Sequence, residues 1–236
     1  MPEYRGVLVM SNKVKVLSLV LLCILLLTGT GFSILVFRQP SFDDGLRTRN
    51  IILKLQREGY VFVLPRDYFE GEHYAKTAML IHDADFDVQG APVFAEIERS
   101  LGVKSAFYLR PDAEWYTQNI AYFQSLEAQG WEIGFQYDCL SRSDNNKTLA
   151  LQLFKAQLVY MREFFSISTT DYHGDNYNFT IFNYNLYDKQ EWRTLGLNEV
   201  YSLSNYSYVT DTNNVYVEPA SFGDLVVIQL HTDWTR

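Results

Sequence analysis

The chain has 236 residues, of which 47% are hydrophobic and 16% aromatic, and its formal net charge is −8. With an N-terminal apolar stretch set aside, roughly 195 residues remain, enough for one globular core and inconsistent with disorder throughout. The acidic balance, with no basic run, argues against nucleic acid as a partner.

Residues 16–37, VLSLVLLCILLLTGTGFSILVF, contain no charge. About 20 residues rising 1.5 Å each span the hydrocarbon core of a bilayer, so this stretch predicts one transmembrane helix. Arg5, Lys13 and Lys15 precede it. The positive-inside rule then makes residues 1–15 a cytoplasmic tail and puts the rest of the chain outside the cytoplasm. A cleaved signal peptide is the competing reading, with TGTG at 28–31 near its cleavage site. Asn-x-Ser/Thr triplets at Asn146, Asn178 and Asn205 suit an exported glycoprotein. The two cysteines, Cys23 in the apolar stretch and Cys139 beyond it, form no disulfide framework.

Residues 41–59 carry Ile51, Ile52 and Leu55 at helical spacing and predict an amphipathic helix ended by Gly59. Strand and helix patterns then alternate. TAMLIHDAD (77–85) reads as a strand, 92–102 as a helix, VKSAFYL (103–109) as a strand and 113–129 as a helix. WEIGFQY (131–137) reads as a strand and 146–165 as a helix capped by Asp144 or Asn145. SISTTDYH (166–173), LNEVYSL (197–203) and DLVVIQLH (224–231) read as further strands. This alternation predicts an α/β fold built from βα units around a parallel sheet.

In such folds the working groups gather at the C-terminal ends of the strands. Asp83 and Asp85 end the first strand of this series, and Gln136 and Asp138 a later one. His173 and His231 end two more. Two carboxylates at i and i+2 suit one metal ligand beside one proton acceptor. Asp85, Asp138 and His173 are candidates to hold a divalent ion, and His231 to protonate a leaving group. That set is machinery for hydrolysing an amide or ester. The residues also have plainer uses: the Asp pair as a helix cap, His173 in a turn with Gly174, His231 as a core imidazole. His82 points away from Asp83 and is expected to pack or hydrogen-bond, and Trp131 to pack.

The motifs together resemble a known family. AMLIHDADFDVQGAPVFAEIERSLGVKSAFYL is similar to the first motif of polysaccharide deacetylases of the NodB-homology, carbohydrate-esterase type, in their His-Asp-x-Asp branch. WEIGFQYD resembles the second motif, STTDYHGDN the His-Gly motif, YVTDTNN (208–214) a later Asp-Thr-Gly-type turn, and VVIQLHTDW the final strand. The resemblance covers residues 50–236, and implies a deacetylase-like domain over 41–236 with a distorted (β/α) barrel of about seven strands. It implies metal-assisted removal of acetyl groups from amino sugars of a surface or extracellular glycan. On that basis Asp83 is the general base and His231 the general acid. Asp85 is a ligand of the metal, a zinc-like ion, and His173 a ligand or substrate contact. Gln136, Tyr137 and Trp234 fall where the substrate would lie. The chain departs from the family at Gln136, where the second motif carries a metal-binding His, and at Leu140, where a second His is usual. Either Asp85, Asp138 and His173 hold the ion, or the domain binds a glycan or partner protein without turnover. A hydrolase of non-sugar amides is a third reading. SFDDG (41–45) imitates the family's commonest first motif, but no strand precedes it, so Asp83 is preferred.

Overall fold

The computed structural model describes residues 42–84, 88–174, 183–187, 189–211 and 216–232. The predicted membrane span, Asp85, Asn178 and Trp234 lie outside these residues. Among the described residues, no helix is long and apolar enough to cross a membrane.

Helix α1 (Phe42–Arg57) leads to strand β1 (Val61–Phe62) and the short helix α2 (Pro65–Phe69). The series β2 (Thr77–Ala84), α3 (Ala91–Leu101), β3 (Ala106–Leu109), α4 (Tyr116–Ala128) and β4 (Glu132–Tyr137) follows. Next come α5 (Cys139–Arg142), α6 (Lys147–Met161), β5 (Thr169–Tyr172), α7 (Lys189–Thr194) and β6 (Asn198–Glu199). A 3-10 turn at Val200–Ser202 precedes β7 (Ser207–Thr210) and β8 (Leu225–His231). SFDDG therefore runs into the first turn of a helix, not the end of a strand. The cap of α6 is Asn146, whose side chain accepts from the Leu149 amide at 3.2 Å, rather than Asp144 or Asn145. Both of those residues have positive φ, 47° and 62°, and so belong to the turn before the helix.

Every strand pairs in parallel, in the order β6-β5-β4-β3-β2-β8-β7, with β1 beside the start of β2. The path of this curled half-barrel runs back through the chain from β6 to β2 and then passes to β8 and β7. Side chains alternate in and out along each strand. Met79, Ile81, Tyr108 and Val227 form the concave cluster together with Val200. Phe107, Ile133, Phe135 and Leu109 face the helices on the convex side, in the largest core cluster. Gly134 makes room for a neighbouring ring: a Cβ there would sit 2.2 Å from Tyr108.

The convex layer also explains His82. Its ring lies 4.6 Å from Phe94 and 4.8 Å from Phe107, centroid to centroid, and its Nε2 meets Glu98 Oε1 at 2.6 Å. Ser105 and Trp131 donate to Glu98 Oε2 at 2.8 and 2.6 Å. The packing roles expected of His82 and Trp131 are the ones observed.

Candidate functional site

Alternation carries Asp83, Gln136, Asp171, His173, Gln229 and His231 to the concave face, at or near the C-terminal ends of their strands. β2 and β8 set Asp83 directly beside His231 in register, and β4 and β5 set Gln136 beside Asp171. All six residues are buried.

Asp83 and His231 form the centre of the best-defined group. His231 Nε2 lies 3.8 Å from Asp83 Oδ2. Its Nδ1 meets Asp211 Oδ1 at 2.8 Å, and the His231 backbone amide donates to the same carboxylate at 3.2 Å. Asp211 follows β7, the neighbour of β8, so strand pairing brings it there. Burial pushes the Asp211 carboxyl above the usual carboxylate range, and its bonds to His231 partly offset this. An ionised Asp211 accepts from Nδ1–H, which sets Nε2 on the side of Asp83. The Gln229 side-chain amide, from the same strand as His231, donates to the same oxygen, Asp83 Oδ2. Gln229 in turn accepts from Tyr208 and, at 3.3 Å, from Thr210. Hydrogen bonds across β7, β8 and β2 thus fix the carboxylate through Gln229 and the imidazole through Asp211. The arrangement can take a proton from a water molecule at Asp83 and deliver one from His231.

The residues expected to hold a metal ion are placed differently. Asp138 sits at the end of β4 as predicted, but it is an ion-pair partner. Its Oδ2 is 2.7 Å from Arg110 Nη2 and its Oδ1 is 2.8 Å from Arg142 Nε. Arg142 also pairs with Asp112. Two guanidiniums occupy the lone pairs a cation would need and repel it. Gln136 offers only a neutral amide oxygen, a weak donor for zinc-like ions. His173 is buried at the end of β5, its backbone amide donating to Tyr137 O at 2.8 Å and its carbonyl accepting from Asn183 at 3.0 Å. Among the described residues, no three of His, Cys, Asp and Glu converge to hold an ion. Asp138 therefore does not fit the expected ligand role without loss of its ion pairs to Arg110 and Arg142.

Tyr137, expected at the substrate, is on the opposite face. One residue past Gln136, it points to the convex layer, with ring centroids 5.2 Å from Phe154 and 5.4 Å from Trp192. Trp115 and Trp192 also pack in that layer. Burial pushes the Cys139 thiol far up, so it is no nucleophile at neutral pH.

Four residues of the site were not singled out from the sequence. Asp211 and Gln229 complete the network just described. Tyr201, on the 3-10 turn after β6, is raised well above the usual phenol range by burial, then by Asp83, Tyr208 and Asp171. It therefore stands within electrostatic reach of both carboxylates. Asn183 accepts from the Leu140 and Ser141 amides at 3.1 Å each and ties the start of α5 to the end of β5. Asp211 was detectable only as the acid within YVTDTNN.

No family model matches the chain, and neither does any curated protein or solved structure.

Proposed function

We propose that this is a membrane-anchored carbohydrate amide hydrolase of polysaccharide-deacetylase type, removing acetyl groups from amino sugars of a surface or extracellular glycan. The observation that carries the reading is the Asp211–His231–Asp83 alignment at the ends of adjoining parallel strands. The motif resemblance supports the sugar, and the uncharged stretch at 16–37 with its preceding Arg and Lys supports the anchor. Asp83 takes a proton from the water that attacks the acyl carbonyl. His231, held by Asp211, gives a proton to the amine nitrogen as the carbon–nitrogen bond breaks. The products are acetate and a free amino sugar.

A second reading, a domain that binds glycan without turnover, is favoured by Gln136 and by the arginine-paired Asp138. The full-length Asp83→Ala protein separates the two. Acetate release from N-acetylated chitooligosaccharides should fall by on the order of 10²–10⁴-fold while oligosaccharide binding is retained. Equal release by parent and variant would remove Asp83 from the chemistry. Binding with no release by either would leave the binding domain.

A further inference from the structure

Gln136 is only 1% exposed, and among the described residues neither its Nε2 nor its Oε1 has a hydrogen-bond partner. Buried amides are nearly always paired, because each unpaired end forfeits its bonds to water. The unpaired hydroxyls of Tyr116, Tyr137 and Tyr187 belong to rings whose packing accounts for their position. Gln136 has no ring, and both ends of its amide are unpaired. A leucine would fill the same space without that penalty. Strand alternation aims the side chain into the concavity, on the face that carries Asp83, Asp171 and His231.

We propose that Gln136 is a substrate-binding residue that reads the acyl group of the ligand. Its Nε2 donates to the acyl carbonyl and its Oε1 accepts from a neighbouring sugar hydroxyl. A trans secondary amide points its N–H and C=O in opposite directions, so a single primary amide cannot engage both. A carbonyl with an adjacent hydroxyl, as in a 2-acylamido sugar, satisfies both ends of Gln136. The carboxylates of Asp83 and Asp171 on the same face disfavour an anionic ligand. The ligand class is therefore a neutral N-acylated amino sugar, an assignment that rests on the sugar-amide reading above.

The test compares N-acetylated chitooligosaccharides with the matching fully de-N-acetylated oligomers, by calorimetry on full-length Asp83→Ala protein. Adding Gln136→Leu should weaken binding of the acetylated oligomer by on the order of tenfold and weaken that of the free-amine oligomer, which offers Gln136 only the hydroxyl, by less. Gln136→Leu alone should raise Tm by roughly 2–8 °C, since it removes an unpaired buried amide. Unchanged affinity for the acetylated oligomer, or a lower Tm, would overturn the assignment and make Gln136 structural. If the protein with Gln136 intact binds neither oligomer, the sugar reading fails first and this assignment with it. If it binds and releases acetate but is insensitive to Gln136→Leu, only this assignment fails.

Discussion

His231 is placed between two carboxylates that do different things. Asp211, 2.8 Å from Nδ1, fixes the tautomer and the ring orientation. Asp83 faces Nε2 at 3.8 Å, the side on which the proposed proton transfers would take place. Asp211→Asn keeps the shape but presents an amide that can turn its NH₂ towards Nδ1, which disturbs the tautomer. The expected result is a fall in kcat on the order of 10²-fold or more, with KM little changed and the pH profile displaced. A fall in thermal stability with an unchanged pH profile would reduce Asp211 to a structural role. Sequence reading found Asp83 and His231 because both end long apolar strands whose pattern is plain. It missed Asp211 because β7, Ser207–Thr210, is too short and too polar to announce itself. It misplaced Tyr137 because a single step along a strand reverses the face, and proximity in sequence to Gln136 is then misleading.

At the level of elements, the convex layer is held at one point by Glu98 of α3. Its carboxylate is shared by His82 of β2, Ser105 before β3 and Trp131 before β4. Glu98→Ala leaves three buried polar groups without their partner and opens a cavity, which should destabilise the fold by about 3–5 kcal/mol. Chemical denaturation would measure it, and a loss below about 1 kcal/mol would contradict the bridging role. Activity per folded molecule should survive, since Glu98 meets the convex side of the sheet and not the concavity. The sequence supported the longer elements, β2, β4, β8 and helices α1, α3 and α6, through their periodicity and their terminal glycines. Gly102, for example, ends α3 with φ 69°. It missed β1, α2, α5 and α7 because segments of two to six residues carry too few positions for a period to show. The segment 197–203 reads as one strand but divides into β6 and a 3-10 turn, which places Tyr201 inside the curl.

For the molecule as a whole, the parallel order of the strands was legible and the polar interior was not. At the end opposite the candidate site, Glu132 of β4 accepts from the Arg66 amide of α2 at 2.9 Å and from the Thr169 hydroxyl. Burial raises its carboxyl from 4.5 to about 7. The folded state therefore holds this proton more tightly than the unfolded chain does. Its stabilising effect is fully present below about pH 4.5 and is lost as pH rises to about 7, an effect of about 3 kcal/mol. Glu132→Gln should flatten the dependence of stability on pH across that window. An unchanged slope would place the effect elsewhere. The hydrolysis proposed for the other end of the sheet depends on one event, the loss of an acetyl group from a sugar amide. Acetate release from N-acetylated chitooligosaccharides by the full-length protein, compared with its His231→Ala variant, tests that event most directly. The account predicts steady release by the parent and a loss on the order of 10²–10⁴-fold in the variant. No release by the parent, from oligosaccharides that it demonstrably binds, would contradict it.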